Sequence, residues 1–146
     1  MLDSSTLALR QQLEALAIDY WHEVDMNGGT RAPSYYTDDA VFGTSAREYH
    51  GRAAIEQFYG GRQARPARVS LHLMQNFRIT VEPEGEAHCH YYLSLFAADG
   101  EPVRPSLPAT MVAAVHEIVL QEPDGVWRYR SRKVRPLFRD GSPSRG

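Results

Sequence analysis

The sequence predicts an α+β domain, with three helical segments first and four long strands after them. Three observations carry that expectation. Apolar residues recur with a helical period up to Gly61 and alternate with a period of two after Pro66. The stretch from Arg68 to Val81 runs fourteen residues without Gly or Pro, which suits a long strand. Turn signals then follow at Glu82-Pro83-Glu84-Gly85 and Pro123-Asp124-Gly125. Helices followed by hairpin-linked strands read as helices packed on one face of an antiparallel sheet. If that sheet is strongly curved, the N-terminal helices close it into a cone with a pocket.

In chain order, Ser4 or Ser5 can cap a first helix that runs to about Met26. Leu9, Leu13, Leu16, Tyr20 and Val24 form its apolar stripe, widened by Leu7, Ala17 and Trp21. Asp25 falls at the edge of this arc, in the last turn, where the helix dipole disfavours a carboxylate. It either bonds the turn that follows, Asn27-Gly28-Gly29, or has a partner elsewhere. Thr30 can cap a short second helix with Pro33 in its first turn, and Thr37-Asp38-Asp39 reads as a turn. Ala40–Phe42 and Glu48–His50 are short strands. A helix from Arg52 is expected to stop at Gly60-Gly61.

In the stretch from Arg68 to Val81, one parity holds Val69, Leu71, Leu73, Phe77, Ile79 and Val81, interrupted only by Gln75. The other holds Ser70, His72, Met74, Asn76, Arg78 and Thr80. His72 and Asn76 there can face a half-polar cavity or water. The next strands are expected at about 86–98, 109–121 and 126–134, with a Pro-rich loop over 99–108. One domain over 1–138 and a flexible tail over 139–146 complete the expectation.

Sixteen Lys and Arg oppose eighteen Asp and Glu, a balance without the basic footprint of a nucleic-acid partner or a membrane-surface helix. The first residues do not read as a signal peptide, and no run of eighteen apolar residues occurs, so a cytoplasmic protein is expected. The single Cys89 reads as a small buried hydrophobe. His88-x-His90 puts two imidazoles on one strand face, but Ser94 stands where a cupin metal motif carries its Glu. Neither metal nor cofactor is therefore expected.

Several segments, in order and spacing, resemble the nuclear-transport-factor-2-like superfamily. They are Ala17-Ile18-Asp19-Tyr20 leading to Asp25, Tyr36 to Phe42, His50 to Phe58, His72 with Asn76, and Asp124 to Arg128. Within it the chain is most similar to the SnoaL-like group, which includes scytalone dehydratase, bile-acid 7α-dehydratase and the small subunits of ring-hydroxylating dioxygenases. The resemblance implies a cystatin-like cone and, because relatives often pair through the sheet face, a homodimer. It also implies a pocket lined by a first-helix Asp and Tyr, matched by Asp25 and Tyr20, and by a strand His, matched by His72. Leu95-Phe96-Ala97 carries no second His of the scytalone dehydratase kind. His116 lies near the place of that enzyme's pocket Asn.

An Asp–His pair is a plausible general base, the carboxylate fixing the imidazole tautomer. The expected function is a cofactor-independent lyase or isomerase, of dehydratase or cyclase type, acting on a small hydrophobic or cyclic substrate. Asp25, His72 and Tyr20 are its catalytic candidates. Trp21, Tyr49, Asn76, Tyr92 and His116 are the substrate-binding ones, Tyr49 or Tyr92 also serving as a donor to an enolate oxygen. Tyr20 and Asp25 lie about 140° apart on a helix wheel, so both reach one pocket only if it wraps the helix. The alternatives are a dioxygenase small subunit without chemistry and a small-ligand carrier.

Overall fold

The computed structural model describes residues 2–44, 46–106 and 108–141. The order is α1 (Ser4–Asn27), a 3-10 turn (Ala32–Tyr35), β1 (Tyr36–Gly43), β2 (Glu48–His50) and α2 (Arg52–Gln63). Then come β3 (Arg68–Val81), β4 (Ala87–Asp99), β5 (Met111–Gln121) and β6 (Trp127–Arg139). One curved, unclosed sheet has the order β2-β1-β6-β5-β4-β3. Its pairings are antiparallel except β1 on β6, which is parallel.

Helix α1 begins on Asp3, not on a serine. The Asp3 carboxylate accepts from the Thr6 amide at 2.8 Å and from Ser5 Oγ at 2.9 Å. A charged acceptor suits the positive end of the dipole better than a hydroxyl. Leu13, Ala17, Tyr20, Trp21 and Val24 of α1 pack with Cys89, Tyr91, Leu93, Val115, Val119 and Tyr129 of the sheet's inner face. Each fully buried large apolar side chain contributes roughly 1.5–3 kcal/mol. Leu7, expected to widen this stripe, is 54% exposed because it lies at the far edge of the arc, near the helix start.

Three expected boundaries shift, each for a local reason. The second helix is a single 3-10 turn. Thr30 does not cap it, because its hydroxyl bonds back to the Asn27 carbonyl at 2.8 Å. Thr37-Asp38-Asp39 is not a turn but an irregular part of β1, where the pairing with β6 shifts between Tyr36 and Val41. Gly60 and Gly61 lie inside α2, which is held down by buried Ile55, Phe58 and Tyr59. Gly29 is the glycine whose identity the packing demands. Its φ is +74°, and a Cβ there would stand 2.3 Å from the Tyr59 ring.

The faces of β3 also depart from the alternating pattern. Asn76 adopts φ 58°, and the register with β4 shifts between Gln75 and Arg78. This bulge exchanges the two parities. Before it, Ser70 is buried and Leu71 and Leu73 are each 41% exposed; after it, Phe77 packs into the core. The long apolar parity is therefore split between the two sides of the sheet. Strand β6 passes its expected end at Val134, because Pro136 sits where the pairing with β5 shifts register. It reaches Arg139, the first residue of the expected tail; residues 142–146 of that tail lie outside the described residues.

The centre of the cone holds a polar network. Arg132 and Glu117, register partners on β6 and β5, are both fully buried. Arg132 Nε donates to Glu117 Oε2 at 2.7 Å, and Arg132 Nη1 donates to the Tyr36 hydroxyl at 2.6 Å. The guanidinium lies 3.6 Å from the Tyr20 ring centroid and 4.0 Å from that of Tyr129. Tyr91 donates to Glu117 at 2.7 Å and accepts from Trp21 Nε1 at 2.8 Å.

Candidate active site

The last turn of α1 and the first half of β3 bring a carboxylate and an imidazole together. Asp25 Oδ1 stands 2.6 Å from His72 Nδ1, and Oδ2 accepts the His72 backbone N–H at 2.7 Å. Ser70 Oγ donates to Oδ1 at 3.0 Å and accepts from Arg62 Nη2 at 3.3 Å. The Trp21 ring stacks on the imidazole, with centroids 4.4 Å apart and planes 15° apart. Both partners of the pair are nearly enclosed, their side chains 7% and 4% exposed. Asp25 thus has its partner across the fold and not in the Asn27-Gly28-Gly29 turn.

That local geometry follows from the chain. Ser70, His72 and Met74 share a parity, and the bulge at Asn76 lets this parity face inward without burying Arg78 and Thr80. Burial pushes the His72 imidazole below its ordinary value. The Asp25 hydrogen bond and charge oppose that, while Arg62 and Arg68 add to the lowering. A carboxylate on Nδ1 fixes the proton there and leaves Nε2 as the basic nitrogen. Nε2 has no hydrogen-bond partner among the described residues.

His72, Asp25 and Trp21 line a cleft of about 510 Å³ with Arg10, Glu14, Ile18, His22, Met26, Leu71, Leu73, Met74, Asn76 and Phe77. Arg10 is held there by the Phe77 carbonyl at 3.1 Å and by Glu14 at 3.0 Å. On the other side of Asp25 and Ser70 lies a second cavity of about 600 Å³, bordered by Arg62, Arg65 and Arg68. The dyad stands in the wall between the two.

Of the other residues singled out in the sequence, Asn76 reaches the first cleft and Tyr20 does not. Tyr20 is fully buried, bonded to the Tyr36 hydroxyl at 2.7 Å and to Tyr59. The 140° separation on the helix decides this, because α1 presents Tyr20 to the core and Asp25 to β3. Tyr49 packs on Phe42 and Phe58 beside Arg47. Tyr92 and His116 lie on the outer face of the sheet, away from the dyad; His116 joins His88 and His90. Burial and Arg78 lower His90; burial and the neighbouring His90, His88 and Lys133 lower His116. Sequence reading missed Ser70, although its place two residues before His72 was a usable signal. It also missed Arg62, for which the sequence holds none.

A sheet curved around α1, with a cleft at the helix–strand seam, is the architecture of a SnoaL-like domain. The SnoaL-like domain family matches residues 5–133, and the chain belongs to it, within the nuclear-transport-factor-2-like superfamily. ActVI-ORFA from Streptomyces coelicolor is 16% identical over 89% of this chain and 98% of its own, with a TM-score of 0.77. A scytalone dehydratase-like protein from Novosphingobium aromaticivorans is 19% identical over 94% of this chain and 89% of its own, with a TM-score of 0.79. A Catenulispora acidiphila protein in complex with S-DNPA is 17% identical over 89% of this chain and 94% of its own, with a TM-score of 0.75. At such identities the likeness is one of fold. No curated protein sequence matches. No helix among the described residues is long and apolar enough to cross a membrane.

Proposed function

We propose that the chain is a cofactor-independent lyase or isomerase, of dehydratase or cyclase type, acting on a small hydrophobic or cyclic carbonyl compound. One observation carries the reading: the Asp25–His72 hydrogen bond of 2.6 Å in the wall of a cleft of about 510 Å³. His72 Nε2 removes a proton from the carbon next to the carbonyl, and the C–H electron pair passes to the oxygen as an enolate. Asp25 stabilises the imidazolium through Nδ1–H. Re-forming the carbonyl makes the C=C bond and breaks the C–O bond of a β-hydroxyl, and Nε2–H gives its proton to the departing oxygen, so water leaves. Returning the proton to carbon instead gives an isomer. Tyr20 is too enclosed to bond the enolate oxygen, so that role falls to the Asn76 carboxamide in the same cleft. S-DNPA bound to a protein of the same fold supports a small-molecule ligand.

The test is exchange of the α-proton into deuterated water, read by NMR on a panel of cyclic β-hydroxyketones. The expected result is exchange by the native chain and a loss of about 10²–10⁴-fold in His72→Ala, the usual range for a general base. Binding in the cleft without exchange would instead favour a carrier. A stable complex with a large oxygenase chain would favour an assembly subunit.

We also propose that two copies pair through the outer face of the sheet. Leu71, Leu73, Tyr92, Phe96 and Phe138 are 41%, 41%, 40%, 36% and 71% exposed there, and strand pairing sets them side by side.

A further inference from the structure

Three imidazoles meet on the outer face of the sheet, apart from the cleft. His88 and His90 share that face because they are two residues apart on β4, and His116 on β5 is the register partner of His90. We propose that His88, His90 and His116 form a binding site for a divalent transition metal of the zinc type. One ring nitrogen from each of the three lies within 4.8 Å of the other two. The His90 and His116 rings stack at 4.5 Å with planes 4° apart. His88 Nδ1 faces His116 Nε2 at 2.9 Å.

That last contact is the informative one. Two facing ring nitrogens share a single proton, and a metal ion can take the place of that proton. Two nitrogens on one tetrahedral zinc stand roughly 3.3 Å apart, so small ring rotations bring all three into range. Imidazoles suit zinc, copper or nickel, whereas calcium and magnesium prefer oxygen. The site also has a supporting layer. Glu86 Oε2 lies 3.8 Å from His88 Nε2, the nitrogen that would face away from the ion. Arg130 holds the same carboxylate at 2.6 Å. A carboxylate on the outer nitrogen of a ligating His is the usual way such a ring is oriented. Arg78 and Lys133 are the register partners of His90 and His116 and repel a cation. Against them, Lys133 is paired with Glu48, and Glu86 adds negative charge at the site.

Three protein ligands leave one position for water or an outside ligand. The site is independent of the Asp25–His72 reading and neither needs nor supplies a step in that reaction.

The experiment is calorimetric titration of the untagged full-length chain with zinc alone, repeated with cobalt(II) for its visible absorption. One ion per chain and a tetrahedral cobalt spectrum are expected. His116→Asn and His90→Gln should each weaken zinc by at least roughly tenfold, and Glu86→Gln by less. His72→Ala and His22→Ala should leave zinc affinity unchanged. Zinc should raise the melting temperature of the native chain and not that of folded His116→Asn. Absence of binding up to about 100 µM zinc, an affinity weaker than ~5.5 kcal/mol, would overturn the proposal. So would a zinc affinity in His116→Asn and His90→Gln equal to that of the native chain.

Discussion

A carboxylate in the last turn of a helix opposes the dipole by a few tenths of a kcal/mol. Asp25 carries that burden while accepting from the His72 amide, the His72 ring and the Ser70 hydroxyl. Asp25→Asn should therefore do two things. Its amide can keep one acceptor oxygen but presents N–H to a donor, and in bonding Nδ1 it drives the imidazole proton to Nε2. The base nitrogen is then blocked, as in a triad whose Asp is amidated. Turnover should fall by about 10²–10⁴-fold in a protein that stays folded. A fully active Asp25→Asn chain would sink the dyad. The pH profile offers a second check. Burial holds the folded-state value of His72 below the ordinary 6.5. The base form therefore persists to lower pH, and the acid limb of kcat/KM should have its midpoint below 6.5. Stability has a matching sign. The unfolded chain binds the proton more readily, so this contribution is present above 6.5 and lost as pH falls through the lower folded value.

Elements were legible where one period ran without interruption, and misread where a single residue changed it. The fourteen-residue length of β3 could be read directly from the sequence, but its faces could not. Strict alternation put Leu71 and Phe77 on one side, and the bulge at Asn76 separates them. Asn is one of the few residues that tolerate a left-handed backbone, and that is the local signal the pattern held. Asn76→Gly should keep the bulge and the register. Asn76→Val, β-branched at φ 58°, should cost about 1–2 kcal/mol in a denaturant melt. It should also disturb the His72 amide resonances as β3 seeks a new register. Equal stability of the Val and Gly variants would show that the bulge does not set the faces of β3. The dyad was readable because Asp25 was anomalous on its own helix. The 140° between Tyr20 and Asp25 was also readable, and it leaves Tyr20 in the core with Tyr36 and Tyr59.

At the scale of the whole molecule, the α+β order could be read from the change of period, whereas the contents of the cone could not. Glu117 follows His116 on β5 and Arg132 lies in the basic run from Arg128 to Lys133, and only the register of β5 with β6 reveals that they meet. Such a pair, fully buried and bonded to Tyr36 and Tyr91, occupies space that a curved sheet alone would leave open. The cleft therefore lies at the α1–β3 seam. The same filling leaves the outer face of the sheet without any helix of its own. Leu71 lies opposite Phe96 and Val112 opposite Phe138, so the apolar patch crosses from β3 to β6. A patch of that breadth on a small domain is more often covered than solvated. Light scattering at micromolar concentration should give a dimer. Placing a charge at its centre, Tyr92→Asp, should shift the chain toward monomer without disturbing the Asp25–His72 pair on the opposite face. A native chain that scatters as a monomer would remove the pairing, and a dimer indifferent to Tyr92→Asp would move it to another surface.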